Sequence, residues 1–208
     1  MICGLLQWGM DQQAHHPIAP LFVRLTHWLN AVAVIVMIMS GLKIYNASPI
    51  FDFLFPRELT VGGWLGGALL WHFAFMWLLV VNGLIYLTLN FYTGRVWKKF
   101  FPISPKELIK DVLDTLKGKL VHEDLSKYNT IQKLAYLSVI LDIVILIASG
   151  LAIWKSVQFP LLRDLMGGFD SARVVHFVAM SFAVFFILVH LLMVALVPKT
   201  LLIMIRGK

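Results

Sequence analysis

Four long apolar runs, separated by shorter polar stretches, organise this chain: Leu21–Leu42, Trp64–Phe91, Leu134–Trp154 and Val174–Val197. At 1.5 Å of rise per residue each is long enough to cross about 30 Å of hydrocarbon. No backbone polar group can be left unpaired in lipid, so the runs predict α-helices. A different pattern occupies the connection 92–133. There Ser104, Pro105 and Glu107 supply an N-cap, a first-turn proline and a capping-box acid, and Gly118 closes the segment. Leu108, Ile109, Val112, Leu113 and Leu116 form one apolar stripe between them, with lysines opposite. This predicts a short helix on the cytoplasmic membrane surface; a solvated linker helix is the alternative. The expected fold is all-α, an integral membrane four-helix bundle forming a single domain over residues 1–208.

Composition agrees with this reading. Of 208 residues, 60% are hydrophobic and 14% charged, and the mean hydropathy is +0.83, far from the values of soluble domains. Lysine and arginine accumulate in short cytoplasmic loops, so their distribution orients the spans. Arg24, the nine basic residues from Arg95 to Lys133, and Lys199, Arg206 and Lys208 lie on one side; only Lys43, Arg57, Lys155, Arg163 and Arg173 lie on the other. Both termini are therefore expected in the cytoplasm of a bacterium, with the spans in its inner membrane. The bias also accounts for the net charge of +7, and no recognition motif suggests nucleic acid. Cys3 is the lone cysteine, which excludes an intrachain disulfide, a zinc knuckle and an iron–sulfur cluster. No C-x-x-C-H motif for covalent c-type haem occurs. The apolar run Ile2–Leu6 is too short for a cleaved signal, so the first span is expected to double as the insertion signal.

Candidate chemistry lies with histidine. Four of the seven histidines fall within spans. His176 and His190 are fourteen residues apart on span four, which puts them on nearly one helix face about 21 Å apart. One metal ion cannot bridge that separation, so each needs a partner on another helix. With cytoplasmic termini, His27 and His190 lie toward the inner face, and His72 and His176 toward the outer face. Two depth-matched pairs result, the arrangement that two stacked bis-histidine haem b groups require. A single intramembrane histidine is as readily a core residue satisfied by an interhelical hydrogen bond; the sorting into two levels favours ligation. Zinc fits less well, because each level offers two neutral imidazoles and no carboxylate or thiolate. His15, His16 and His122 read as surface residues.

Arg24 precedes His27 by three residues and Arg173 precedes His176 by three, one turn nearer the membrane face in each case. An arginine there can bind a haem propionate, or simply snorkel at a helix end. Asp142, near the middle of span three, is a candidate proton carrier, with a protonated or hydrogen-bonded structural acid as the preferred reading. Asn30 and Asn82 are expected to form interhelical hydrogen bonds. Tyr45, Trp64 and Trp154 sit where interfacial aromatics belong. A faint repeat relates Ser40-Gly41-Leu42-Lys43-Ile44-Tyr45 to Ser149-Gly150-Leu151-Ala152-Ile153-Trp154; its small residues allow close approach of a helix or of a flat ligand.

Arg24-Leu-Thr-His27-Trp28 opening span one, Lys127-Tyr-Asn-Thr-Ile-Gln-Lys133 before span three, and His176 with His190 in span four together resemble the di-haem cytochrome b subunits of nickel–iron hydrogenase, formate dehydrogenase-N and thiosulfate reductase. The likeness covers all four spans, and the branch paired with sulfite-oxidase-type molybdoenzymes looks nearest. It implies His72 and His176 as ligands of an outer haem b and His27 and His190 as ligands of an inner one, in agreement with the depth argument. It also implies a quinone site where the start of span three meets His190, with Asn129, Gln132 and Lys133 as candidates; capping at a helix start is their alternative role.

The expected function is electron transfer across the bilayer between a periplasmic oxidoreductase partner (a molybdoenzyme, hydrogenase or cytochrome) and the quinone pool, as a quinone-reactive subunit. A stand-alone quinone-linked oxidoreductase acting on a small oxidant such as superoxide is the second reading. A haem-free anchor or transporter is the third, and the broken helices of transporters are not evident.

Overall fold

The computed structural model describes residues 18–100, 104–116 and 130–207. Among them every regular element is helical. Four helices are long and apolar enough to cross a membrane: α1 (Leu21–Ala47), α2 (Leu65–Tyr92), α5 (Thr130–Trp154) and α7 (Phe169–Leu196). Between or after them lie α3 (Arg95–Phe100), α4 (Pro105–Leu116), α6 (Pro160–Leu165) and α8 (Lys199–Arg206). The spans run past their apolar limits because a helix continues through the polar interface: α1 carries Lys43 and Asn46 beyond Leu42, α5 takes in Gln132 and Lys133, and α7 starts early enough to include Arg173. The early start of α7 follows from Gly167 and Gly168, whose φ of 86° and 100° end α6 and turn the chain; few residues other than glycine adopt those angles.

The expected helix after Ser104 is α4, with Pro105 as its first residue; Gly118 lies outside the described residues. Ile109 and Leu113 of its apolar stripe are exposed, as a membrane-facing stripe would be. Asp111 ties α4 to the next span: its carboxylate accepts a hydrogen bond from the Thr130 N–H at 2.6 Å, satisfying an otherwise orphan donor at the start of α5. The short helices α3, α6 and α8 and a 3₁₀ turn at Arg57–Leu59 were not foreseen, because each is too short for a readable period.

The bundle consists of two antiparallel helix pairs. The backbones of α1 and α2 approach closely, as do those of α5 and α7, whereas the described elements show no comparable approach between the pairs. Small buried residues permit the approach within pairs: Ala33 and Ala68 in one, Ala152, Ala172, Ala179 and Ala183 in the other. Asn82 stitches the first pair by donating to Asn30 Oδ1 and to the Thr26 carbonyl, both at 2.7 Å, the interhelical role expected of both asparagines. Between the pairs, side chains make the contact. Tyr45 of α1 stacks on Phe177 of α7 with centroids 5.1 Å apart, and Phe73 of α2 lies 4.8 Å from Trp154 of α5.

The ends of the bundle differ. At the loop end, where α1 and α5 finish, Phe51, Phe53 and Phe55 gather around Tyr45 and Phe177. Asn46 pins this turn by accepting from Phe55 N–H and donating to the Phe55 carbonyl, each at 2.9 Å. At the terminal end α8 folds across the start of α1. Arg24 donates to the Ile205 carbonyl at 2.6 Å and Trp28 Nε1 to the Met204 carbonyl at 3.2 Å, and Gly207, with φ 88°, closes α8 against Ala19.

Candidate functional site

The four span histidines meet as two pairs, and each pair bridges the gap between the helix pairs. His72 of α2 faces His176 of α7 near the loop end, with ring centroids 6.4 Å apart and planes at 66°. His27 of α1 faces His190 of α7 near the terminal end, with centroids 6.1 Å apart and planes at 61°. Imidazoles on opposite sides of one metal ion, with bonds of about 2.0–2.1 Å and ring centres about 1.1 Å behind the ligating nitrogens, have centroids about 6.3 Å apart. Both pairs have that spacing.

Neighbouring side chains orient the loop-end pair. His72 Nδ1 is 3.1 Å from Ser40 Oγ and 3.2 Å from the Met37 carbonyl, and His176 Nδ1 is 2.9 Å from Ser149 Oγ. Both serines are fully buried. The adjacent glycines make room for the rings, since a Cβ on Gly41 would lie 3.5 Å from His72 Cε1 and one on Gly150 3.4 Å from His176 Cε1. The Ser-Gly repeat is thus a cradle for histidine. The signal was present in the sequence, but it reads there as helix packing or contact with a flat ligand. The terminal-end rings rest on aromatic neighbours instead: Trp28 meets His27 edge-on at 5.5 Å, and Phe186 stacks on His190 at 6.0 Å.

Among the described residues no three or more His, Cys, Asp or Glu side chains gather into a metal-binding group. Each level offers two facing imidazoles, a donor set that would suit an ion held by two histidines. A porphyrin iron is an ion of that kind.

Residues 18–207 match the family profile of prokaryotic cytochrome b561. The chain belongs to this family. As a prokaryotic cytochrome b561 it is a membrane haem b protein of electron transport and a subunit of oxidoreductase systems. It is 59% identical over 192 residues, 92% of this chain and 97% of the relative, to the putative protein-methionine-sulfoxide reductase subunit YedZ1 of Azospira oryzae. No solved structure matches.

The remaining candidates are placed less uniformly on this cytochrome b561 framework. Arg24 spends one donor on the Ile205 carbonyl, while its Nε is buried without a partner. Arg173 donates to the Ser48 carbonyl and to Ser48 Oγ and lies 3.8 Å from Asp170, so it ties α7 to the end of α1. Gln132, exposed, and Lys133, half-buried, occupy the first turn of α5 at the terminal end; Asn129 lies outside the described residues, as do His15, His16 and His122. Asp142 is buried two turns from Ser149 on the same face, and its Oδ2 has no hydrogen-bond partner. Tyr45 is buried in the aromatic cluster at the loop end, while Trp64 is well exposed.

Proposed function

We propose that the chain carries two haem b groups, ligated by His72 with His176 and by His27 with His190, and links the quinone pool to a periplasmic oxidoreductase. The observation that carries this reading is the presence of two imidazole pairs, with centroids 6.4 and 6.1 Å apart, at different depths along α7. Bound there, haem b would supply one-electron carriers at two levels of the membrane. The chain's own residues hold the imidazoles of each pair facing one another and exclude water with the surrounding apolar and aromatic side chains. The basic residues of the connection 92–133 and of the tail support cytoplasmic termini, which makes the His72–His176 level the outer one and the His27–His190 level the inner one. The whole chain acts as one domain in this reading. Arg24 Nε and Arg173 are the candidate propionate partners at the two levels.

Quinone is taken up beside the inner level, with Gln132 and Lys133 in the first turn of α5 and Asn129, which precedes that helix in sequence, as its candidate partners. The relative's name points to a reductase of protein methionine sulfoxide as the partner, and a reductive partner favours outward electron flow. A quinol gives up two electrons and two protons in becoming quinone; a sulfoxide takes up two of each to give a thioether and water. Electrons therefore run outward in this system.

The test is anaerobic addition of a short-chain quinol to the purified chain in lipid, followed by the oxidised periplasmic reductase with its sulfoxide substrate. Reduction of the haem α-band by quinol and its reoxidation by the partner are expected. A loaded protein that quinol does not reduce would contradict the quinone link, and one that the reductase does not reoxidise would contradict the partner.

A further inference from the structure

Among the described residues only the outer histidine pair has hydrogen bonds to its ring nitrogens, and the partners in those bonds assign the ring proton. Ser40 Oγ lies 2.7 Å from the Val36 carbonyl, and Ser149 Oγ lies 2.7 Å from the Ile145 carbonyl. A carbonyl only accepts, so the single hydroxyl proton of each serine points there and the oxygen turns a lone pair toward the ring. His72 Nδ1 then faces two acceptors, Ser40 Oγ and the Met37 carbonyl, and must donate. His176 Nδ1, 2.9 Å from Ser149 Oγ, is in the same position. A neutral imidazole has one N–H, so in both rings Nε2 is left with the free lone pair a metal needs.

We infer that Ser40 and Ser149 are positioning residues that fix this tautomer and lower the reduction potential of the outer haem alone. This rests on the reading of His72 and His176 as ligands of one haem. A ring N–H that donates to oxygen makes the opposite nitrogen a stronger electron donor, and a stronger donor favours ferric over ferrous iron. Among the described residues neither His27 nor His190 has a hydrogen bond to its ring; aromatic neighbours hold them. The serines therefore act on one level and not the other.

The experiment is a redox titration of the full-length protein and its Ser40→Ala, Ser149→Ala and double variants. The two midpoints are assigned with the single-haem variants His72→Ala and His27→Ala, and haem content is counted as pyridine haemochrome. The outer midpoint is expected to rise in each single variant and most in the double, with the inner midpoint fixed and two haems retained. Ser40→Ala and Ser149→Ala are expected to shift it comparably, because a backbone carbonyl still accepts from each ring, Met37 for His72 and Leu146 for His176. An unchanged outer midpoint in variants holding two haems overturns the inference while leaving the ligand assignment intact. A wild-type protein with fewer than two haems overturns the assignment itself. Should an alanine variant lose its outer haem, Ser149→Thr and Ser149→Cys decide: threonine keeps the hydroxyl and the wild-type midpoint, and cysteine, a weak acceptor, raises it. Equal midpoints in those two variants overturn the proposal.

Discussion

The two ends of the bundle are built on different principles. At the loop end the helix pairs repeat one another: Ser40 holds His72 as Ser149 holds His176, Gly41 and Gly150 make room for the same two rings, and the Tyr45–Phe177 contact is matched by Trp154–Phe73. Carrying the same register toward the terminal end breaks the match. Tyr136 of α5 stands where α1 has His27, Tyr86 of α2 where α7 has His190, Phe186 where α2 has Asn82, and Asp142 where α1 has the fully buried Ala33. The repeated register thus relates the two histidines of one pair to each other, whereas His27 and His190 of the second pair correspond to Tyr136 and Tyr86. The shared site is fixed by hydrogen bonds and the unshared site by ring stacking, so the two should respond differently to substitution.

The largest expected effects come from the proposed haem ligands. His72→Ala should remove only the outer haem and His27→Ala only the inner, each leaving one haem per chain by pyridine haemochrome; loss of the opposite haem would break the pairing. Gly150→Leu should come next. A Cβ there already sits 3.4 Å from His176, so a branched side chain must displace the ring and deplete the outer haem, while Gly150→Ala, in ordinary contact, should keep it. Asn82→Ala removes two 2.7 Å hydrogen bonds between α1 and α2. Interhelical hydrogen bonds in membranes contribute about 0.6 kcal/mol on average and at most about 1.7, so unfolding in detergent should show a loss in that range with both haems still bound. The smallest effect is expected for Trp28→Phe, which deletes one hydrogen bond to the Met204 carbonyl. It should cost about 0.5–1.5 kcal/mol of α8 docking, seen as faster proteolysis of the C-terminal helix.

The spans and the pairing of histidines were legible because both depend on counting. An apolar run of span length admits only a helix in lipid, and His27, His72, His176 and His190 sort by distance from the span ends. The cradle was not legible. Ser40-Gly41 and Ser149-Gly150 are visible as a repeat, but which helix they face depends on how α1 meets α2 and α5 meets α7, and small residues suit many partners. Arg24 was read for a propionate or snorkelling role, yet it also docks α8, as does Trp28; the eight residues of α8 follow Pro198 and carry too little pattern to place in advance. Gln132 and Lys133 proved to lie inside α5, because a helix does not end where its apolar run ends.

The proposed pair of haems, one at each histidine level of this cytochrome b561, is open to direct measurement. The most direct test is the pyridine haemochrome content per chain of fully loaded protein, combined with a redox titration of the α-band. Two haem b per chain, resolved as two one-electron midpoints of which only the one lost with His72 responds to Ser149→Ala, is the predicted result. One haem per chain in fully loaded protein would contradict it.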